Sequence, residues 1–349
     1  LQDLTLKNAY DYYKPGFAGR AVVIQDKGKH TFCKNVRMLS YQDTYYSNSN
    51  SNFYFENSDI HGTVDFICGE GDVFFNNCTL TVEPRNADGS GECTLTAPST
   101  NSSEGNKFGY VFSGCTIDSK AEKFNYGRAW NNTPRCAYIN TTLLQPERLN
   151  ENRWTLGGMN VPADKFVEYN TMDQSGKVIS PASLVCTFTK DSKSNTYETI
   201  LTAEQAEEYS LETISKSWNW YPATYTAQKS MDVLKADGNK LTWNAVDGAL
   251  AYAVFRNGEF VGMTTSASYD ITEGNASEYS VRAANECGGF GPGSTTATGI
   301  SDSVVAGGDV VRTSYYNVQG ARVGSSYKGI VIKVETLKDG KQIATKIIR

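Results

Sequence analysis

The sequence lacks the short motifs that mark several large enzyme classes. None of the patterns GxSxG, Walker A, GxGxxG or HExxH occurs in its 349 residues, so nothing in it indicates a serine hydrolase, a nucleotide site or a zinc protease. Two histidines, and eight cysteines without a CxxC pair, offer too few clustered ligands for a zinc site. We therefore expect neither a metal nor a cofactor.

Features of membrane and nucleic-acid-binding proteins are also missing. No run approaches the roughly 18 apolar residues of a transmembrane helix, so we expect no membrane span. A net charge of −5, without any basic run containing aromatic residues, argues against nucleic-acid binding. What the chain has instead is abundant glycine (31) and tyrosine (21), a profile typical of strand-rich globular proteins. The length predicts two or three domains.

Helical periodicity is scarce, and a repeat of about 20 residues takes its place. The repeat is visible in the segments FCKNVRM, FENSDI, FNNCTL, FSGCTI and INTTL. Asn35 and Asn57 are 22 residues apart, and Asn57 and Asn77 are 20 apart. This period predicts the stacked coils of a right-handed parallel β-helix, an all-β fold, with equal positions of successive coils roughly 4.8 Å apart. Cys78 and Cys115 share one position, so we expect a buried thiol ladder.

Two aspartates occupy the same place in this repeat. Asp43 lies eight residues after Asn35, and Asp65 lies eight residues after Asn57. Stacking would bring their carboxylates to within about 4–6 Å of each other. Because two carboxylates so close cannot both ionise at low cost, we expect one raised and one lowered pKa, which would give a proton donor and a nucleophile. The alternative is a pair of solvated acids at loop corners.

The β-helix is predicted to occupy residues 1–226. Its first strand, in residues 1–8, has no cap before it, so we expect further coils to precede it. Residues 202–209 have the N-cap and the early acidic residues of a short helix. Residues 223–230 are predicted to be a linker.

The next predicted domain, residues 229–300, contains short strands with a hairpin signal at Asn257-Gly258. Trp243 near its start and Tyr279 near its end are typical core aromatics of a β-sandwich. This segment resembles a fibronectin type III domain, and we expect it to be a spacer or binding module without a catalytic cluster.

Residues 303–349 are predicted to form a small C-terminal β module, with turns at Gly320, Gly329 and Gly340. The module is similar to those appended to secreted bacterial enzymes. We therefore expect a bacterial protein that is secreted, periplasmic or attached to the cell surface.

Three short segments surround or follow the two aspartates: Gln42-Asp43-Thr44, GTVDFICG at residues 62–69 and GRAW at residues 127–130. They are similar to the QDT, GTVDFIFG and GRPW motifs of pectin methylesterases, in the family's order and close to its spacing. Residues 202–220 are similar to the family's C-terminal helix and its tryptophan. The resemblance covers residues 1–223 and implies a carbohydrate esterase that needs no metal or cofactor.

The resemblance implies a role for each matching residue. Asp65 would attack the C6 carbonyl of a methylated galacturonate as the nucleophile and form an acyl-enzyme. Asp43 would protonate the departing methanol and then deprotonate the water that releases the acid. Gln42 would donate to the oxyanion, and Arg128 would hold Asp65 ionised through a bidentate pair. Trp130 would offer its aromatic face to the sugar.

Several positions depart from the family's pattern or leave two roles open. Arg20, which we also predict to bind substrate, stands where a second oxyanion glutamine is expected. This leaves two alternatives, an altered oxyanion hole or a preference for an anionic substrate. Ala129 replaces the proline of GRPW and Cys68 replaces a phenylalanine, and neither change removes a reacting group. Tyr46 and Phe66 are predicted to line the substrate groove, although a core or turn role fits them equally.

Together these residues predict a monomer that binds pectin, that is, methylesterified homogalacturonan, and hydrolyses its methyl esters with release of methanol. A pectate lyase-like β-helix is one alternative, and it would normally need a calcium-binding acid cluster; the QDT and GTVDF pairing argues against it. A non-catalytic pectin-binding protein is the other. The presence of both acids, Gln42 and Arg128 argues against lost catalysis, while Arg20 leaves it open.

Overall fold

Short parallel strands follow one another along the first part of the chain in this computed structural model. The structure describes residues 1–14, 19–222, 231–284, 290–296, 310–317, 322–324, 330–337 and 342–348. By its internal contacts the chain divides into two units, Leu1–Ser294 and Thr295–Arg349. The parallel strands of the first unit are β1 (Gln2–Lys7), β2 (Ile24–Asp26), β3 (His30–Leu39), β4 (Tyr45–Ser47), β5 (Asn52–Glu56), β6 (Asp59–Gly62), β7 (Val64–Gly69), β8 (Asp72–Asn76), β9 (Thr79–Val82), β10 (Glu92–Pro98), β11 (Tyr110–Ser113), β12 (Thr116–Ser119), β13 (Lys123–Gly127), β14 (Arg135–Ile139), β15 (Thr142–Leu143), β16 (Lys165–Tyr169) and β17 (Met172–Asp173).

These strands stack into two parallel sheets. The larger sheet has the order β16-β14-β11-β8-β5-β3-β6-β9-β12-β15-β17, with β1 beside β3, and the smaller has the order β13-β10-β7-β4-β2. Residues 30–34 of β3 pair with β5, whereas its residues 37–38 pair with β6. The larger sheet therefore supplies two walls of each coil and the smaller sheet the third. The predicted parallel β-helix is confirmed.

An asparagine or a glycine turns the chain between two walls of each coil. The members of this set have left-handed backbones, with φ between 48° and 62°; they are Asn35, Asn57, Asn77, Gly114, Asn140 and Asn170. That conformation costs most L-residues roughly 1–2 kcal/mol, and Asn and Gly tolerate it best. The repeat visible in the sequence is therefore one structural position, recurring from coil to coil.

Aromatic side chains stack through the inside of the coils. The ring of Phe75 lies between those of Phe55 and Phe112, at centroid distances of 4.8 and 4.6 Å. Cys78 and Cys115 are both buried, and the backbone N–H of Thr116 donates to the carbonyl of Cys78 at 2.9 Å, so the two thiols occupy the same position of adjacent coils, as the predicted ladder requires. Each fully buried phenylalanine ring of this column contributes roughly 1.5–3 kcal/mol to stability, so the column of rings holds the coils together. The seven described cysteines are free, and the eighth lies outside the described residues.

A hairpin and two helices follow the coils: β18 (Val185–Lys190), β19 (Lys193–Glu198), α1 (Ala203–Glu207) and α2 (Leu211–Trp218). Thr202 caps α1, and its side chain accepts a hydrogen bond from the backbone of Gln205 at 3.2 Å, so the predicted helix is confirmed. The second helix, α2, was not predicted separately. Its Trp218 donates to Asp72 of the coil at 3.3 Å. Single 3₁₀ turns lie at Ser102–Glu104, Pro146–Arg148 and Ala276–Glu278.

The described residues between 231 and 296 form two antiparallel sheets. One has the order β20-β21-β24 and the other β23-β22-β25-β26, made by β20 (Lys235–Asp237), β21 (Lys240–Thr242), β22 (Ala251–Arg256), β23 (Glu259–Thr264), β24 (Ser268–Asp270), β25 (Tyr279–Ala284) and β26 (Ser294–Thr295). Asn257 and Gly258, with φ of 51° and 88°, make the predicted hairpin turn. Trp243 and Tyr279 lie in the core of this segment, as expected. The fibronectin type III resemblance itself stays a prediction.

In the second unit, the described residues include an antiparallel sheet of order β28-β27-β29-β30, formed by β27 (Val310–Asn317), β28 (Arg322–Val323), β29 (Ile330–Leu337) and β30 (Gln342–Ile348). The three glycines predicted at its turns lie outside the described residues, as do the linker at 223–230 and the predicted domain boundaries at 226, 229, 300 and 303. None of the helices in the described part of the chain has the length and apolar character needed to cross a membrane.

Candidate active site

The two repeat-related aspartates face one cavity on the smaller sheet. Tyr45 pairs with Ile67 between β4 and β7, and this 22-residue register also places Asp43 beside Asp65. The backbone N–H of Asp43 donates to Val64 at 3.2 Å. The cavity has a volume of about 380 Å³ and is lined by Arg20, Gln42, Asp43, Tyr46, Asp65, Cys68, Ala97, Arg128, Trp130 and Met159. The two acids therefore line the same cavity.

Both aspartates have left-handed backbones, with φ of 58° at Asp43 and 49° at Asp65. Such a conformation in a residue other than glycine concentrates at functional sites, where the surrounding structure holds it in place. Here the hydrogen bonds of the stacked strands hold it. The turn separates each aspartate from the regular strand that follows and leaves its carboxyl group in the cavity.

Arg128 fixes the carboxylate of Asp65. Its Nε donates to Oδ1 at 2.8 Å and its Nη2 to Oδ2 at 2.5 Å, which is the predicted bidentate pair. Burial raises the pKa of Asp65, and the hydrogen bonds and charge of Arg128 oppose that rise. The expectation that this second pKa would be lowered is therefore wrong, because the site is deeply buried. Since both oxygens accept N–H groups, the geometry is that of an ionised carboxylate.

Asp43 has a looser environment. Burial and then the negative charge of Asp65 raise its pKa to about 6, against the lowering effects of Arg20, a hydrogen bond from Gln42 and the charge of Arg128. The Nε of Arg20 lies 3.1 Å from Oδ2 of Asp43, and the Arg20 side chain is 78% exposed. The two acids thus differ because cations pair with them unequally, and Asp43 is the one suited to carry a proton near pH 6.

Two motif glycines allow the strands to approach closely enough to form the site. A Cβ at Gly127, just before Arg128, would lie 2.4 Å from Oγ1 of Thr96 in the coil below. A Cβ at Gly62 would lie 2.0 Å from the Cβ of Phe66. Larger residues would push apart the strands that position Asp65 and its arginine. The backbone N–H of Arg128 also donates to Thr96 at 3.0 Å.

Aromatic side chains form one side of the cavity. The rings of Tyr46 and Trp130 lie 5.9 Å apart between centroids and are tilted by 45°. The backbone of Trp130 is fixed at both ends, since its N–H donates to Pro98 at 3.2 Å and its carbonyl accepts from Asn160 at 3.0 Å. The pair supplies a rigid apolar surface beside the two acids, as expected of a pocket that binds a ring.

The prediction for Phe66 is wrong. Its side chain has no exposed surface and belongs to the core inside the coils, because the chain turns at the left-handed Asp65 and sends the next side chain inward. The cavity also contains Cys68, Ala97 and Met159, which the sequence did not indicate. Register could have found the first two, since Tyr46 pairs with Cys68 and Cys68 with Ala97. Met159 lies between β15 and β16, outside any strand, and carries no periodic signal.

Among the described residues, no group of three or more His, Cys, Asp or Glu side chains is arranged to hold a metal ion. Fold and site together define a parallel β-helix protein with a surface cavity. The cavity contains a pair of aspartates and an arginine that holds one of them by two hydrogen bonds. A family model described as Pectinesterase matches residues 2–217. The chain belongs to this family.

Individual relatives match over shorter stretches. The chain is 32% identical over 142 residues to "Probable pectinesterase/pectinesterase inhibitor 21" of Arabidopsis thaliana, covering 37% of this chain and 20% of that protein. It is 31% identical over 153 residues to "Pectinesterase A" of Dickeya chrysanthemi, covering 38% and 40%. The chain thus spans less than half the length of these curated relatives. "Pectin methylesterase PemA from Erwinia chrysanthemi" superimposes with a TM-score of 0.46 at 24% identity, over 63% of this chain and 70% of that one.

Proposed function

We propose that this chain is a carboxylic ester hydrolase that removes methyl groups from methyl-esterified galacturonate in pectin. The observation that carries the proposal is the unequal pairing of two neighbouring acids. Arg128 contacts both oxygens of Asp65, whereas the pKa of Asp43 is raised by burial and by Asp65 to about 6. An ester hydrolase of this type needs one charged nucleophile and one proton donor. Family membership supports the substrate class.

In the first step, a carboxylate oxygen of Asp65 attacks the C6 carbonyl carbon of the ester. The bond from C6 to the methoxy oxygen breaks, and the proton of Asp43 passes to that oxygen as methanol leaves. The galacturonate is then joined to Asp65 as an acid anhydride. We assign the oxyanion contact to Gln42, because its amide lines the same cavity; one such donor typically lowers a barrier by about 3–4 kcal/mol.

In the second step, Asp43 is ionised and takes a proton from water. The resulting hydroxide oxygen attacks C6, the bond to Asp65 breaks, and the product leaves as galacturonic acid, whose carboxyl group ionises in solvent. Asp65 returns as a carboxylate to Arg128, and Asp43 regains its proton, so no other reactant is consumed. The raised pKa of Asp43 suits both halves of the cycle, since a group titrating near the working pH can donate and accept.

Tyr46 and Trp130 would contact the sugar rings on either side of the ester. They line the cavity together, and rigid aromatic surfaces are common in pockets for cyclic ligands. Pectin is a polymer outside cells, so the predicted secreted, periplasmic or cell-surface location follows from this proposal and depends on it. The predicted monomeric state is not needed for the mechanism, because the proposed reacting groups all come from one chain.

The proposal is tested by the products formed from highly methylated pectin. We expect methanol without unsaturated sugar ends, and we expect Asp65→Asn to lower the rate by at least about a thousandfold, as loss of a nucleophile does. Asp191→Asn is the matched control, because Asp191 is 79% exposed and also has a left-handed backbone, with φ of 53°. Asparagine fits that conformation at both positions.

Other outcomes would point elsewhere. Unsaturated ends that depend on calcium would indicate a lyase and overturn the proposal. Pectin binding without either product, equally strong in wild type and Asp65→Asn, would leave a binding module. A rate loss of the same size in Asp191→Asn would show that the substitution acts through folding rather than through the nucleophile.

A further inference from the structure

Two cations line the cavity, and only one of them is firmly neutralised. The guanidinium of Arg128 is matched by the carboxylate of Asp65, with contacts at 2.8 and 2.5 Å. Arg20 has a single contact, from Nε to Asp43 at 3.1 Å, and is 78% exposed. Ion pairs this exposed add little to stability. Arg20 can therefore exchange its partner at little cost.

The charge of Arg20 becomes unbalanced at the proposed first step. Asp43 must then carry a proton, which leaves the positive charges of Arg20 and Arg128 against the single negative charge of Asp65. Two further charges reach the cavity from outside its lining, Arg85 acting on Asp65 and Glu70 acting on Tyr46, and they offset each other. The site therefore has one positive charge to spare when it is ready to react.

The positive charge of Arg20 lies beside Tyr46 and Cys68, on the side of the cavity that would hold the sugar next to the reacting one. Arg20 acts electrostatically on both Tyr46 and Cys68, which pair with each other across neighbouring coils. Arg20 also differs from the glutamine that the family's motif has at this place. A carboxylate is the natural ligand of a guanidinium, because two parallel N–H groups match its two oxygens.

We propose that Arg20 binds the free carboxylate of a galacturonate adjacent to the ester being cleaved, so that the site selects partly de-esterified pectin over fully methylated pectin. The inference rests on the proposed function and deepens it. Between the two alternatives that the sequence leaves open at Arg20, it favours the anionic substrate. Binding of the substrate carboxylate would also draw Arg20 away from Asp43, which favours the protonated acid that the first step uses.

The test compares two hexagalacturonates, one fully methylated and one with a single methyl ester flanked by free carboxylates. Methanol release would be measured per ester as kcat/KM. We expect wild type to prefer the flanked ester by about tenfold, the size of a hydrogen-bonded charge contact, and the preference to shrink in roughly 0.5 M salt. Arg20→Gln should bring the ratio close to one, mainly through KM, and Arg20→Lys should keep part of it.

Arg37→Gln is the control, because Arg37 is a half-exposed arginine paired with Asp59 at 2.9 Å and does not line the cavity. Its ratio should equal that of wild type. Methanol release with the same ratio in wild type and Arg20→Gln would overturn this inference and leave the proposed function intact.

If neither substrate yields methanol, the proposed function fails instead. Calorimetric binding of fully de-esterified hexagalacturonate then decides the role of Arg20 without catalysis. Binding about tenfold weaker in Arg20→Gln supports the carboxylate contact, and equal binding overturns it.

Discussion

At the level of single residues, the surroundings of the two aspartates explain how one residue type can fill two chemical roles. Asp65 is buried and held through both oxygens by Arg128. Asp43 is slightly less buried, and one exposed arginine lies 3.1 Å from it. Repulsion between neighbouring acids alone would not decide which of them keeps the proton. The unequal arginine contacts make that choice.

The bidentate pair predicts a large effect of a conservative change. Arg128→Lys keeps the positive charge and loses the planar fork, so Asp65 should lose its fixed orientation. We expect kcat for methanol release to fall by about a hundredfold or more, corresponding to about 3 kcal/mol, with KM changed little. Arg135→Lys is the control, because Arg135 makes a comparable ion pair with Asp164 at 2.6 Å without lining the cavity. Equal losses in both variants would contradict a specific role.

The raised pKa of Asp43 predicts a pH profile. Because burial and the charge of Asp65 raise it to about 6, methanol release should fall as pH rises through that value, by about tenfold per pH unit once the acid is ionised. A rate that stays constant from pH 5 to 8 would contradict Asp43 as the proton donor. The check is the rate of methanol release across this range in buffers of equal ionic strength.

The raised pKa of Asp43 should make the folded chain less stable as pH rises, whereas a salt-bridged aspartate, whose pKa is lowered, makes it more stable. The folded chain holds the Asp43 proton up to about pH 6, and its ordinary pKa is 3.8, so this group's contribution falls as pH rises between those values. Relative to Asp43→Asn, wild type should lose free energy of unfolding from pH 4 to pH 7 in urea titrations. A constant difference between the two proteins would contradict the shift.

At the level of the elements, left-handed turns set where each strand begins and which way its side chains point. The same turn that places Asp65 in the cavity sends Phe66 into the core, since Phe66 has no exposed surface. Simple alternation along a strand does not foresee this reversal. Rows of equal positions, such as Tyr46, Cys68 and Ala97, are a better guide to the cavity than alternation within one strand.

The asparagine turns predict a stability ranking at one position. Asn57 has φ of 48° and an exposed side chain, so its backbone matters more than its contacts. Asn57→Ala should lower the free energy of unfolding by about 1 kcal/mol, because alanine tolerates the left-handed region poorly. Asn57→Gly should cost less, and glycine already stands at the matching position 114. Urea unfolding measures both; a larger loss for glycine than for alanine would contradict the turn argument.

At the level of the whole molecule, one continuous core runs through all the coils, and the site is attached to its outside. Stacked rings connect coil to coil, for example Phe75 with Phe112 at 4.6 Å and Phe112 with Tyr138 at 4.5 Å. The distance between the two acids is set by the spacing of the coils, so anything that loosens the stack also loosens the site.

This continuity predicts a joint loss of stability and activity. Phe75→Ala removes a fully buried ring from the middle of the column and should lower the free energy of unfolding by about 3–5 kcal/mol. Methanol release should therefore be lost at a lower temperature than in wild type. Phe260→Ala is the control, because that ring is 58% exposed and should change stability by less than about 0.5 kcal/mol. Similar losses of stability in both variants would show that the loss does not depend on how deeply the ring is buried, and would contradict the prediction.

By itself the sequence determined the coil period, the asparagine turns and the register that brings Asp43 beside Asp65, because these depend on spacing along the chain. The motif resemblance added Gln42, Arg128 and Trp130, which lie in the same cavity. Only the tertiary structure decided the rest. It buried Phe66, paired Arg20 with Asp43 and brought Met159 into the cavity from the segment between β15 and β16. These outcomes depend on which surfaces meet after coiling and on how deeply each charge is buried, and the spacing of residues along the chain predicts neither of them.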